Sequence, residues 1–352
     1  MTNLSKVPIY YSLIFMIFFV CFIEGKPFES KYEPLPSENI LISNANIYDG
    51  EGNEFLETDL LIQDRKVIAI GKDLPINNNF NIIDATDKWV TPGIIDIHSH
   101  MGVYPAPGVS TSSDGNEATS PVTADVWAEH SIWVQDPQYA LALAGGVTAF
   151  HILPGSANLI GGRGVTVKNL QRVTINSMKF PDAPHGLKMA CGENPKRVYG
   201  IRKSAPSTRM GNVAGYRKEW IKALEYKAKW DRYDPEGEKP PPSCDLKLET
   251  LVGVLDGEIL VHNHCYRADE MATGIWLPSV LRGAPRGDGA TWSVAQISAS
   301  VTLSIERKDF RAAIAARKSW RCIIVRCPML IHAVVPRQSQ SQKQNRHSRR
   351  PI

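Results

Sequence analysis

Apolar positions come in short clusters through the first quarter of the chain. Ile40-Leu41-Ile42, Ala45 to Tyr48, Asp59 to Gln63 and Val67 to Ile70 alternate or cluster between Asp-Gly, Gly-Asn and Gly-Lys turns, which predicts a set of short β-strands. After the Pro92-Gly93 turn, Ile94 to Ile97 is an apolar run with the length and branching of a buried parallel strand. Farther on the period lengthens. Asp125 to Trp133 and Gln138 to Ala144 have helical character, and Tyr216, Trp220, Leu224 and Ala228 mark one face of an amphipathic helix over 216–233. Lys247 to Leu255 predicts a further helix, and between these segments stand Gly145 to Phe150, Leu187-Lys188-Met189-Ala190 and Glu258 to Val261, each an apolar strand-like stretch. Strands alternating with helices predict an α/β fold, preceded by a small all-β region.

Composition adds little: 43% hydrophobic and 22% charged residues over 352 positions describe an ordinary globular chain with ample material for a core. Charge is more informative. Residues 273–352 hold 14 Lys and Arg against 3 Asp and Glu, a balance of +11, while the rest of the chain sums to −7. The basic stretch lacks motifs and interleaved aromatics, so no nucleic-acid partner is expected. Its Ala, Arg and Ser bias reads as a change of sequence character, as from a shifted reading frame or a foreign junction. At the other end, Lys6 followed by the apolar run Val7 to Ile23 predicts a secretory leader within residues 1–25, or a membrane anchor if it is not cleaved. The protein is therefore expected outside the cytoplasm, secreted or periplasmic. Residues 26–38, rich in Pro, Glu and Lys, read as a linker. Cys21, Cys191, Cys244, Cys265, Cys322 and Cys327 form no Cys-x-x-Cys pair and no regular framework, so a disulfide scaffold is not predicted and Cys265 reads as a buried thiol.

Candidate chemistry begins at His98-Ser99-His100. Residues two apart on a strand face the same way, so both imidazoles stand together at a strand's carboxyl end, where barrel enzymes hold their reacting groups. Two neutral imidazoles suit zinc, which takes nitrogen ligands at about 2.0–2.1 Å. The logic recurs in Val261-His262-Asn263-His264, again a turn, an apolar strand and two histidines on one face. His151 at the end of the second strand is a pocket candidate, although a histidine there is commonly satisfied by local hydrogen bonds. In Asn158 to Lys168 the glycines and Arg163 offer either an anion cradle or a tight turn for close backbone packing. The stretch lacks the spacing of a P-loop.

Val90-Thr-Pro-Gly-Ile-Ile-Asp-Ile-His-Ser-His100 resembles the first barrel strand of the amidohydrolase superfamily. Ile42 to Gly50, followed by Leu61 to Gly71, is similar to the small β-sandwich that precedes the barrel there. The resemblance spans residues 39–272 and points to the imidazolonepropionase-related and prolidase-like branches. It implies a TIM-like (β/α)8 metallohydrolase barrel over 93–272, incomplete at its C-terminus, behind a β-sandwich at 39–92. It also implies one or two zinc ions held by His98, His100, Lys188 as a carbamate, and His262 or His264. Glu193 is the rival to Lys188, and His151, Arg163 and Glu193 are substrate-side candidates. The implied activity is hydrolysis of carbon–nitrogen bonds, in non-peptide, cyclic or dipeptide-like amides, by a metal-activated water. The expected partner is a small-molecule substrate, with homo-oligomerisation left open. The family's last-strand aspartate, its general base, is not found: Asp288 and Asp309 follow no apolar strand, and His332 is a weak candidate. An inactive truncated fragment is therefore the alternative.

Overall fold

The structure, a computed structural model, describes residues 27–281, with side chains to 274, and the backbone of two short strands at 294–298 and 334–336. The expected leader, and with it Asp288, Asp309 and His332, lie outside the described residues, as does most of the 273–352 stretch. Among the described residues no helix is long and apolar enough to cross a membrane. The chain divides into two compact units, one built on Pro34–Ile94 with Leu143–Thr148 and the strand at 334–336, the other on Ile95–Ala142 and Ala149–Cys322.

The first unit is one six-stranded sheet, where a sandwich was expected. Its strands are β1 (Ile40–Tyr48), β2 (Glu54–Gln63), β3 (Lys66–Gly71), β4 (Asn81–Asp84), β5 (Lys88–Val90) and β12 (Val334–Pro336), ordered β12-β5-β1-β2-β3 with β4 also on β1. A bulge explains how β1 serves two neighbours on one edge. Between Ile42 and Ala45 the register slips, Asn44 takes φ 55°, and its amide donates to Asp59 Oδ1 at 2.9 Å. The half before the bulge then pairs with β4 and the half after it with β5, both parallel. Ile42, Ala45, Ile47, Leu60, Ala85 and Val90 form the buried core.

The second unit carries the sheet β11-β10-β9-β8-β7-β6, made of β6 (Ile94–Ser99), β7 (Val147–Ile152), β8 (Ile160–Lys168), β9 (Gly186–Ala190), β10 (Leu260–His264) and β11 (Val294–Ser298). Six strands form this half-barrel, and the eightfold closure implied by the resemblance is not reached among the described residues. Its direction pattern also departs from an all-parallel barrel. β9, β10 and β11 run parallel, but β8 is antiparallel to both β7 and β9. The connection from β7 to β8 explains this, since residues 153–159 are too few for a parallel crossover, which takes a dozen or more.

β8 is the stretch read as an anion cradle or a tight turn. It is a strand, and Gly162 sits in it with φ 118°, where a Cβ would lie 2.3 Å from the Val126 carbonyl. The missing side chain lets segment 122–127 lie along β8 through bridges Val122↔Ile160 and Trp127↔Arg163. That pairing also overrides the helix expected at 125–133, of which only a 3-10 turn at Ala128–His130 remains. β6 departs from expectation as well. Ile94, Ile95 and Ile97 are 53%, 42% and 51% exposed, because β6 is the last strand of the sheet and has one neighbour among the described residues.

Helices α1 (Gln138–Ala144), α2 (Glu193–Ile201), α3 (Arg209–Asp231), α4 (Leu246–Leu255) and α5 (Ala268–Leu281) complete the unit. α3 starts before the apolar periodicity does, because Thr208 caps it by accepting from the Gly211 amide at 3.0 Å. Tyr216, Trp220, Ala223 and Tyr226 then give it a buried stripe. Asp245 caps α4, whose Leu251, Val254 and Leu255 are buried in the same core as Leu187 and Met189 of β9. Each such side chain contributes about 1.5–3 kcal/mol by leaving water. The expected linker is partly docked: the Ser30 hydroxyl donates to the Lys179 carbonyl at 2.8 Å, and the Lys31 amide donates to the Asn176 carbonyl at 2.8 Å. Cys265, expected as a buried thiol, is joined to Cys191 by a disulfide.

Candidate metal centre

Strand alternation decides which side chains meet. On β9, Leu187 and Met189 enter the core, so Lys188 takes the opposite face; on β10, His262 and His264 share a face and Val261 joins the core. Register places His262 beside Lys188 and His264 beside Ala190, so His264 stands one step nearer the carboxyl ends. His98 and His100 project from the end of β6, their rings 5.3 Å apart and edge-on, and the His264 ring lies 6.4 Å from that of His98. Lys188, 1% exposed, brings Nζ to 3.2 Å from His98 Nε2 and donates to the Pro154 carbonyl at 3.0 Å.

The hydrogen bonds set the tautomers. His100 Nδ1 lies 2.8 Å from the Leu153 carbonyl, an acceptor only, so Nδ1 carries the proton and Nε2 the lone pair. The Lys188 amine meets His98 Nε2, a contact in which either nitrogen can donate, and the Asn194 side-chain amide donates to His264 Nε2 at 3.5 Å. His100 and His264 thus present an unprotonated Nε2. Burial, reinforced by the Lys188 amine and the neighbouring rings, pushes His98 down to about 3. His264 falls to about 4 from burial first and then Lys188, with Glu270 opposing. His100 is lowered by burial and Lys188 against the pull of the Leu153 carbonyl. Burial alone takes Lys188 to about 7, so near neutrality much of it is free amine.

The structure separates the remaining candidates. His262 leaves the cluster and stacks on His151 at 4.3 Å between ring centroids, the rings inclined by 20°. Gly186 makes room for this pair: a Cβ there would lie 2.3 Å from His151 Nε2 and 2.8 Å from His262 Cδ2. His151 Nδ1 meets the Thr166 hydroxyl at 2.9 Å, and burial lowers it to about 3. Arg163 is turned to the outer side of β8, 4.2 Å over the Trp127 ring, with Nε donating to Thr250 Oγ1 at 2.8 Å. Glu193 is exposed on the first turn of α2, and its neighbour Asn194 turns inward instead.

Three polar side chains that the sequence reading missed border the cluster. Asn194 also donates to the Tyr266 hydroxyl at 3.2 Å, the Tyr266 ring stands edge-on to His264 at 4.6 Å, and Tyr104 stands edge-on to His100 at 5.7 Å. Asn194 had one sequence signal, its place just past the end of the lysine strand. The two tyrosines had none beyond proximity to histidines.

Among the described residues no three His, Cys, Asp or Glu side chains are grouped closely enough to hold a metal ion. The donor set nevertheless suits a borderline divalent cation: three imidazoles kept neutral by burial, beside a buried amine that a cation would displace from His98.

No family model matches the chain. Among curated proteins it is 32% identical over 258 residues to amidohydrolase tasK of Hapsidospora irregularis, covering 68% of this chain and 26% of that protein. Over 70 residues, 19% of the chain and 15% of the relative, it is 43% identical to a dihydroorotase of Ligilactobacillus salivarius. Among solved structures, an amidohydrolase from Thermotoga maritima superposes with TM-score 0.63 at 39% identity, covering 68% of this chain and 62% of that one. The chain thus spans about a quarter of the fungal relative and about three fifths of the Thermotoga one. Fold and site together define a mixed α/β protein with a half-barrel sheet whose polar groups converge at the carboxyl ends of its strands. The chain belongs to the amidohydrolase superfamily.

Proposed function

We propose that the protein is a metal-dependent hydrolase of carbon–nitrogen bonds in small amides, cyclic amides or dipeptide-like compounds. The observation that carries this reading is the convergence of His98, His100, His264 and Lys188, with the three imidazoles held neutral by burial. These four residues would hold one or two zinc ions. Bound zinc supplies Lewis acidity and brings the pKa of water toward about 7.

The chain's own contribution starts at Lys188. Its burial keeps a fraction of the amine uncharged, and a neutral amine can add to carbon dioxide: the nitrogen lone pair bonds to carbon, a C=O π pair moves to oxygen, and one N–H proton leaves to solvent. The product is a carbamate, an anionic oxygen donor in place of a cation. His100 is oriented by the Leu153 carbonyl, and the stacked His151–His262 pair packs the interior behind the site. His262, the other imidazole expected as a ligand, has that packing role in this reading, as does His151 in place of substrate contact.

The leader and the Cys191–Cys265 disulfide support a location outside the cytoplasm, where disulfides persist. The exposed outer face of β6 at Ile95 and Ile97 favours a second reading, a metal-free partial barrel that does no chemistry. Elemental analysis of the purified chain separates the two. One or two zinc ions per chain, lost in a His98→Ala/His100→Ala variant, are expected, followed by hydrolysis in a panel of cyclic and linear amides. A monodisperse protein without metal would leave the second reading.

A further inference from the structure

We infer that Asn194 is a positioning residue that holds His264 in reserve: its amide fixes the imidazole with Nε2 unprotonated and, in the metal-free protein, competes with metal for that nitrogen. The inference rests on the metal reading above. His264 is the outlying member of the cluster, its ring 6.4 Å from that of His98, while His98 and His100 are 5.3 Å apart. What holds it there is visible. Asn194 Nδ2 approaches His264 Nε2 at 3.5 Å and the Tyr266 hydroxyl at 3.2 Å, and the Tyr266 ring closes edge-on against the imidazole at 4.6 Å.

The clamp is anchored on both sides. Asn194 lies in the first turn of α2, and Tyr266 follows the disulfide-bonded Cys265, with its backbone amide donating to Glu270 Oε2 at 3.3 Å. An amide N–H can only donate, so its partner must be the unprotonated ring nitrogen. The same bond that prepares a lone pair for a cation therefore occupies it until the cation arrives.

Two substitutions at one position separate this role from mere packing. In Asn194→Ala the competing donor is gone, and Zn2+, measured by competition with a chromophoric chelator, is expected to bind roughly three- to tenfold tighter, the equivalent of one ordinary hydrogen bond. In Asn194→Asp the carboxylate accepts instead of donating, draws the proton to Nε2, and weakens Zn2+ binding. Nitrogen-15 shifts of His264 in the metal-free protein should report an unprotonated Nε2 in the wild type and a protonated one in Asn194→Asp. Opposite signs for the two variants support the inference, since damage to the fold would weaken both. Equal or jointly weakened affinities, or an Nε2 that is already protonated in the wild type, would overturn it while leaving the metal reading intact. A wild-type chain that binds no Zn2+ would overturn both.

Discussion

Lys188 Nζ sits 3.2 Å from His98 Nε2 with the Pro154 carbonyl as its other partner, so this buried amine forms no ion pair among the described residues. An unpaired buried amine makes stability depend on pH. Its pKa falls from 10.5 in the unfolded chain to about 7 in the fold, so between those values the unfolded state binds more protons. Stability of the metal-free protein should therefore rise as pH climbs from about 7 toward about 10, by on the order of 3–5 kcal/mol, and be flat with respect to this group below about 7. Denaturant melts in carbon-dioxide-free buffer at pH 6.5, 8 and 9.5 would check it. Lys188→Met should flatten the dependence and abolish metal uptake. A wild-type profile as flat as that of the variant would show that the amine is solvated or paired.

The Cys191–Cys265 bond closes a loop with sequence separation 74 at the carboxyl ends of β9 and β10, beyond the register pair Ala190–His264. By the chain-entropy argument such a loop contributes about 4 kcal/mol through the unfolded state. A phosphine reductant should lower the melting temperature of the wild type and leave that of a Cys191→Ser/Cys265→Ser variant unchanged. Equal melting temperatures with and without reductant would mean that the bond adds no stability.

Glu129 and Lys179 form an ion pair at 2.6 Å with both side chains buried, and the Lys179 amine also donates to the Phe28 carbonyl. Removing one partner strands the other without compensation, so Glu129→Ala should cost about 3–5 kcal/mol. The loss should also free the docked N-terminal segment. Hydrogen exchange over residues 28–32 should rise in the variant before global unfolding does. Unaltered protection there would show that Ser30 and Lys31 hold the segment by themselves.

The clustering of the candidate residues was more legible in the sequence than the frame around them. His98 with His100, and His262 with His264, were legible as face-sharing pairs because strand alternation is a local rule, but which of the second pair stands with the first was not. Lys188 came from the resemblance, and its burial then gave that carry-over a physical basis. The facing of Arg163 was open in the sequence, because period-2 alternation gives two faces and the glycine pattern does not say which is inward. The expected helix at 125–133 failed for a tertiary reason, the pairing of 122–127 with β8 across Gly162. The antiparallel course of β8 was readable in principle from the short β7–β8 connection, but only once Gly161 to Val167 had been recognised as a strand. Asn194 had only its place just past the lysine strand as a signal, since its contact with His264 depends on where α2 begins relative to the end of β10.

Gly186 is the position at which frame and site constrain each other most tightly. It is the first residue of β9, two before Lys188 and on the same face, and any Cβ there would meet His151 Nε2 at 2.3 Å and His262 Cδ2 at 2.8 Å. The two rings are stacked and buried, so neither can swing into solvent to relieve the contact. Gly186→Ala should therefore push the pair apart or displace β9, at about 1–3 kcal/mol for overpacking. Because Lys188 rides on the same strand, displacement of β9 would also lengthen the Lys188–His98 contact and reduce zinc uptake, whereas separation of the rings alone would lower stability and spare the metal. Calorimetry and elemental analysis on the same preparation distinguish these outcomes, and a variant unchanged in both would show that the His151–His262 stack is loose enough to absorb a methyl group.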